Sequence, residues 1–343
     1  MKEGKHTLEE LKQWQSLPLD VKIMMSCDRI RDWVREYGED GVAISFSGGK
    51  DSTVLMDLVR NRCGYKSVPA VFVDVPTQFP ELREFAKTFE NVEILRPSIN
   101  FMQVCETYGF PLISKEVSQK IYETRSIMRK KDKSTWNTYV TYRKCLGIGE
   151  YKDSEYNTKR YAYLLNADFN ISHMCCSIMK KKPIHDYENR TKRMQIVGTM
   201  ADESVQRRTA WMINGCNAFD IKHPRSSPMA FWTENDVLQY IYENELPICS
   251  VYGEVVRKEK QMTFDEILSG EPRWEYETTG AKRTGCMLCG FGCHLEKSPN
   301  RFERLKETHP KMYAMLDIVK NNGITMRQAI EWLNEHGGTN IKL

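Results

Sequence analysis

Val42-Ala43-Ile44-Ser45-Phe46-Ser47-Gly48-Gly49-Lys50-Asp51-Ser52 decides the fold. Five residues of buried-strand character run into a two-glycine turn. Residues 50–62 follow as an amphipathic helix carrying Val54, Leu55, Leu58 and Val59. Residues 70–73 predict a second strand, 80–89 a second helix, 92–95 a third strand and 195–198 a later one. Thr233-Glu234-Asn235-Asp236 has the spacing of a capping box for a helix through Tyr242. Upstream, Val21, Met24, Met25, Ile30, Trp33 and Val34 recur at helical spacing within residues 8–37, broken near Leu17-Pro18 and ended by Gly38. A final helix opens at Thr325 and closes at Gly337-Gly338. Strands alternating with helices define an α/β class, a parallel twisted sheet with helices on both faces.

The chain has 343 residues, a length that suggests about two domains. With 41% hydrophobic and 28% charged residues, a disordered chain is excluded. No apolar run approaches the roughly 18–20 residues of a membrane span, since even residues 68–75 break at Asp74. The polar start Met1-Lys2-Glu3-Gly4-Lys5-His6 does not resemble a secretory signal, so a cytoplasmic location is expected. Lys and Arg number 50 against 46 Asp and Glu, and 50 − 46 = +4 neither demands nor excludes a nucleic-acid partner. Residues 113–163 concentrate the excess, with twelve basic and six acidic residues, 12 − 6 = +6. Tyr122, Trp136, Tyr139, Tyr142, Tyr151, Tyr156, Tyr161 and Tyr163 interleave with them. Such a stretch suits either a nucleic-acid surface or a solvated helical insertion with half-buried tyrosines. The expected organisation is a helical arm over 1–39 and an α/β nucleotide domain over 40–250, with the insertion at about 114–165. A cysteine segment with C-terminal helices would occupy 251–343.

In Ser47-Gly48-Gly49-Lys50-Asp51-Ser52 the glycines let backbone N–H groups turn toward one point. The helix N-terminus, the hydroxyls and the Lys50 ammonium add donors for a phosphate or pyrophosphate. The common ATPase loop is excluded, because its first glycine position holds Ile44.

This loop resembles the pyrophosphate loop of the adenine-nucleotide α-hydrolase-like superfamily, and within it the phosphoadenosine phosphosulfate reductase family. Further segments are similar in order: residues 73–81 with Asp74 and Phe79-Pro80-Glu81, residues 198–204 with Arg207 and Arg208, Phe231-Trp232-Thr233 with Asp236, and Leu246-Pro247. The resemblance implies that Ser47, Gly48, Gly49, Lys50, Asp51, Ser52 and Asp74 bind an adenine nucleotide. Lys50 with Arg207 or Arg208 would clamp the phosphates; for Arg208 the alternative is a surface ion pair.

Of eleven cysteines, Cys27, Cys63, Cys105, Cys145, Cys216 and Cys249 stand singly and read as small core residues. Cys175-Cys176, Cys286-x-x-Cys289 and Cys293 are clustered in sequence. Thiolates at such spacing suit zinc or iron–sulfur. The resemblance favours a [4Fe–4S] cluster, because adenylyl-sulfate-reducing relatives carry a Cys-Cys pair and a distant Cys-x-x-Cys. Zinc, with His294 as a ligand, is the alternative, and Cys293 is either a replacement ligand or a sulfur-handling thiol.

Sulfonucleotide reductases of this family use a later Glu-Cys-Gly-(Ile/Leu)-His segment. No cysteine follows Cys293 here. The resemblance therefore points to an ATP pyrophosphatase acting on Mg-ATP, adenylating an acceptor, tRNA or DNA, for sulfur transfer with a sulfur-donor protein. A sulfonucleotide reductase and a non-catalytic nucleotide and redox sensor are the alternatives. No membrane partner is expected.

Overall fold

The structure, a computed structural model, describes residues 4–130, 136–153, 155–261, 263 and 274–343. It forms two compact units, each assembled from separate stretches of chain. The first comprises Met1–Asp74, Phe79–Arg96 and Ile184–Thr284; the second comprises Val75–Gln78, Pro97–Pro183 and Gly285–Leu343.

In the first unit, strands β1 (Val42–Phe46), β2 (Ala70–Val73), β3 (Val92–Leu95), β4 (Met194–Val197), β5 (Asn217–Ala218) and β6 (Arg225–Ser226) form one sheet. Its order is β3-β2-β1-β4-β6-β5, with only the β5–β6 pairing antiparallel. Alternation along β1 separates two cores. Val42, Ile44 and Phe46 face a cluster that includes Ile30 and Trp33 of helix α2 (Leu19–Tyr37) and Val54 and Leu55 of α3 (Lys50–Asp57). Ala43 joins Val71 on the other face, against Tyr187 and Ile184 of α4 (Lys182–Thr191). Helices therefore cover both faces, as the sequence predicts, and the fold is of the α/β class.

The helix expected over 50–62 changes hand-width rather than ending: α3 is α-helical to Asp57 and Leu58–Arg62 is a π-helical turn. Much of the helical arm expected over 1–39 packs into the sheet's core. Leu11, Leu19, Cys27, Ile30, Trp33 and Val34 are all buried there, and fully burying each large apolar side chain contributes roughly 1.5–3 kcal/mol. Lys22 of α2 is also buried, its ammonium 2.7 Å from Asp236 Oδ2 and 2.6 Å from the Gln15 carbonyl. Asp236 lies in α5 (Glu234–Glu243), whose N-cap is the predicted Thr233 capping box. Residues 251–283, expected as a charged surface stretch, contain an antiparallel hairpin of β7 (Val255–Glu259) and β8 (Trp274–Thr278). Residues 262 and 264–273 of that stretch lie outside the described residues.

The second unit joins the basic insertion to the cysteine segment, a division that differs from the linear boundary at residue 251. Gly290–Phe291 pairs in parallel with Leu112–Ile113, and a Cβ on Gly290 would lie 2.7 Å from the Pro111 carbonyl oxygen. The insertion forms helices Lys115–Lys130 and Trp136–Leu146 and a 3-10 segment Asn157–Asn166. Arg125 donates to the carbonyls of Leu164, Leu165, Ala167 and Phe169 at 2.7–2.8 Å. Lys120 pairs with Glu116, and Arg143 with Glu150. Tyr163 stacks on Trp332. Part of the basic and aromatic composition is thus used in local packing, the second of the two readings the sequence allows. Among the described residues no helix is long and apolar enough to cross a membrane.

Candidate functional site

The glycine turn leaves the carboxyl end of β1, at the position where parallel α/β sheets bind ligands. Gly48 has φ +72°, and an added Cβ would sit 3.1 Å from the Leu82 carbonyl, so the residue supplies both a left-handed backbone and room. The serines organise the loop internally. Ser47 N–H donates to Ser52 Oγ at 3.1 Å, Gly49 N–H to Ser47 Oγ at 3.3 Å, and Ser52 Oγ to the Gly49 carbonyl at 2.9 Å. Tyr252 and Thr284 hydroxyls, 2.7 Å apart, form a wall beside Gly49, where an added Cβ would meet the tyrosine oxygen at 3.2 Å.

Lys50 is almost fully buried. Its ammonium pairs with Glu234 and donates to the Lys282 carbonyl at 2.8 Å. Glu234 and Lys282 also line a cavity of about 440 Å³ beneath the β7–β8 hairpin, with Lys258, Lys260, Trp274 and Glu277. Its three lysines are matched by Glu234, Glu275 and Glu277, so the cavity carries no net basic charge.

Asp51 has one buried carboxylate oxygen without a hydrogen-bond partner. Burial raises its pKa above the ordinary 3.8, opposed by Lys50 and reinforced by Glu234. Between the ordinary and the raised value the folded chain holds more protons than the unfolded one, so this group's contribution to stability falls as pH rises through that window. Asp51→Asn is accordingly expected to raise the melting temperature at pH 7 by roughly 2 °C, for about 1 kcal/mol relieved. The gain should vanish below pH 3.8, where the carboxyl is protonated in both states. Melting curves across pH check this; destabilisation at pH 7 would mean that the carboxylate is held by its cationic neighbours.

Asp74 follows β2 directly and stands 3.4 Å from Arg83 and 3.7 Å from Arg96. Arg207 pairs with Glu203 on the helix Val205–Asn214; desolvation lowers its pKa, Asp51 raises it, and the Arg283 and Arg225 guanidinium groups lower it. The field of Asp51 thus links Arg207 to the loop. Arg208 Nε is buried with no hydrogen-bond partner. Sequence reasoning did not single out Glu234, Tyr252, Lys282, Thr284, Arg225 or Arg283. Of these only Glu234 carried a signal, as a member of the Trp232-Thr233 capping segment.

In the second unit Cys175, Cys176, Cys286 and Cys289 come close enough to act on one another electrostatically. A hydrogen bond from Cys175 lowers the Cys176 thiol to about 6 despite burial, aided by Lys180, Lys115 and Lys181, and the same contact raises Cys175. Burial pushes Cys289 up to about 11. Burial works against the Lys180 ammonium, but Cys286 and Cys176 raise its pKa overall. Arg301 donates to the Cys289 carbonyl at 2.6 Å, and Met287 N–H to the Thr77 carbonyl at 2.7 Å, fixing the Cys-x-x-Cys loop. Four mutually close thiols, three of which (Cys176, Cys286 and Cys289) act on the half-buried Lys180 ammonium, suit a metal–sulfur group bearing net negative charge, and the donor set fits a [4Fe–4S] cluster. Cys293 is buried and near Cys289, and burial pushes its thiol up to about 12. His294 Nε2 lies 3.3 Å from the Tyr161 hydroxyl, while its Nδ1 is buried without a partner. Of the six lone cysteines, five are buried as expected; Cys63 is half-buried, its sulfur 3.9 Å from the Cys27 carbonyl.

A parallel sheet with a serine–glycine–lysine turn at the carboxyl end of its central strand defines a nucleotide-binding protein of the pyrophosphate-loop class. The match to a family model narrows it. The chain belongs to the phosphoadenosine phosphosulfate reductase family, whose domain model matches residues 41–145 and 137–290. Among curated proteins it is similar to a probable FAD synthase of Caenorhabditis briggsae, 36% identical over 74 residues, covering 19% of this chain and 14% of that protein. It is also similar to an adenosine 5'-phosphosulfate reductase of Lysinibacillus sphaericus, 29% identical over 121 residues, covering 33% of this chain and 48% of that protein. In both matches the aligned part is less than half of the relative's length. Solved structures that resemble it include phosphoadenylyl-sulfate reductase from Candida auris, with TM-score 0.36 and 13% identity over 72% of this chain and 91% of that one. FMN adenylyltransferase of Candida glabrata gives TM-score 0.36 and 10% identity over 77% and 78%.

Proposed function

We propose that the protein is an ATP pyrophosphatase that adenylates an acceptor oxygen for replacement by sulfur. The observation that carries this reading is the preorganised Ser47–Ser52 turn, with Lys50 held beside it by a half-exposed glutamate. The turn's N–H groups, Lys50 and Arg207 would hold the β- and γ-phosphates of Mg-ATP, and Asp74 the nucleoside side. The acceptor oxygen attacks the α-phosphorus, and the bond to the β-phosphate oxygen breaks with release of pyrophosphate. A hydrosulfide supplied by a donor protein then attacks the adenylated carbon, the C–S bond forms, and AMP leaves with the C–O electron pair. Cys175, Cys176, Cys286 and Cys289 would hold a [4Fe–4S] cluster and Lys180 would offset its charge. When bound, the cluster would supply a site for sulfide. The proposed acceptor is a nucleic acid, supported by the +6 charge excess of residues 113–163, within which Lys120, Arg125 and Arg143 are engaged locally. The relative named as a probable FAD synthase supports adenylyl chemistry, while the relative named as a phosphosulfate reductase favours sulfonucleotide reduction as the second reading.

The test is thermal stabilisation of anaerobically purified protein by Mg-ATP, adenylyl sulfate and its 3′-phosphorylated form. A ligand at 100 times its Kd stabilises by about 2.7 kcal/mol, so the ranking reports the pocket's preference. Mg-ATP is expected to give the largest shift; a sulfonucleotide ranked first would replace this reading by the reductase. In the same preparation Cys286→Ser should abolish most of the iron–sulfur absorption, and unchanged absorption would remove Cys286 from the ligand set.

A further inference from the structure

We infer that His185, Glu188 and His223 form a binding site for one zinc ion, separate from the cysteine cluster. His185 and Glu188 are three residues apart on α4 and so share one helix face, with His185 Nδ1 2.9 Å from Glu188 Oε2. His223 enters from the connection between β5 and β6. Its ring centroid lies 4.4 Å from that of His185, with the planes inclined by 37°. One ligand atom from each of the three lies within 4.8 Å of the others.

Ligand atoms around tetrahedral zinc, at about 2.0–2.1 Å from the metal, are roughly 3.4 Å apart. Small side-chain rotations close that difference, and His223 is exposed and able to make them. Burial does not account for the convergence, since His185 and Glu188 are only half-buried. Two imidazoles and one carboxylate are a borderline-soft donor set that suits zinc rather than magnesium or calcium. Three protein ligands leave a fourth position to water. Bound zinc would tie the connection over residues 219–224 to α4, bridging parts of the first unit that adjoin β4 and β6.

The experiment uses the full chain, stripped of metal and with reduced thiols, titrated with zinc chloride by calorimetry. Cobalt chloride, followed by absorption, serves as a parallel probe. The parent should bind one zinc more than H223A or H185A, or bind it at least about 100-fold more tightly. H223Q keeps a polar side chain of similar reach at an exposed position and should behave as H223A does. Zinc held by cysteines persists in all variants and cancels in the comparison. The parent-minus-H223A cobalt spectrum should lack a sulfur-to-metal charge-transfer band. Equal stoichiometry and affinity in parent and variants, or a thiolate band in that difference spectrum, would overturn the site.

Discussion

Lys22→Met is expected to lower stability by about 3–5 kcal/mol, the largest effect foreseen for any single substitution in this protein. The ammonium is 2.7 Å from Asp236 and is the buried partner of a buried carboxylate. Methionine fills much of the space but leaves Asp236 with an unpaired charge. The same carboxylate accepts from Thr233 N–H at 2.7 Å and Thr233 Oγ1 at 2.9 Å, which places the cost toward the lower end of that range. Urea unfolding at constant m would read the change as a shift in midpoint. Asp236→Asn on the Lys22→Met background should restore part of the loss, because the uncharged amide oxygen can still cap the helix. A cost below about 1 kcal/mol for Lys22→Met would mean that water replaces the ammonium and that the pair is not truly enclosed.

Lys50→Ala should reduce ATP turnover by about a thousandfold or more, with a much smaller change in stability. Removing a preorganised charge aimed at a developing anion typically costs about 10²–10³ in rate, and Lys50 would serve both binding and charge stabilisation. In the structure the ammonium rests on Glu234 and the Lys282 carbonyl. Glu234 is half-exposed and can rehydrate once its partner is gone, so the fold should lose only about 1 kcal/mol. Pyrophosphate release, measured beside a melting curve, separates the two effects. Full turnover in Lys50→Ala would refute the assignment of the loop.

The strands at 42–46, 70–73 and 92–95 were legible because apolar runs of that length, bounded by glycine, proline and helix starts, have few other solutions. Thr233 and Thr325 announced their helices through capping chemistry that acts within four residues. Strands β5 and β6 were not legible, because two residues each are too few to show a period. The hairpin of β7 and β8 was hidden by charge: Arg257, Lys258 and Glu259 alternate with no apolar stripe, and Arg257 instead lies over the Trp274 ring at 4.3 Å. At the site, the loop itself was plain, but its supports were not. Tyr252 and Thr284 meet Gly49 through tertiary packing more than 200 positions away, which no local pattern encodes. Likewise the Lys180 ammonium among the thiols is a matter of helix phase, although the residue lies in the stretch that drew attention to Cys175-Cys176.

The interleaving of the two units along the chain has a consequence for biosynthesis. Cys175 and Cys176 leave the ribosome 286 − 176 = 110 residues before Cys286. At about 5–20 residues per second, that is a wait of roughly 6–22 seconds. The second unit cannot close in that interval, since Gly290–Phe291 is the partner strand of Leu112–Ile113. The vicinal dithiol therefore spends the interval without the two later cysteines, beside unfinished structure. Nascent chains of this protein would be most vulnerable to oxidants and stray metal ions before their final segment is made, so recombinant yield should respond to a reducing environment during translation more than to one supplied afterwards.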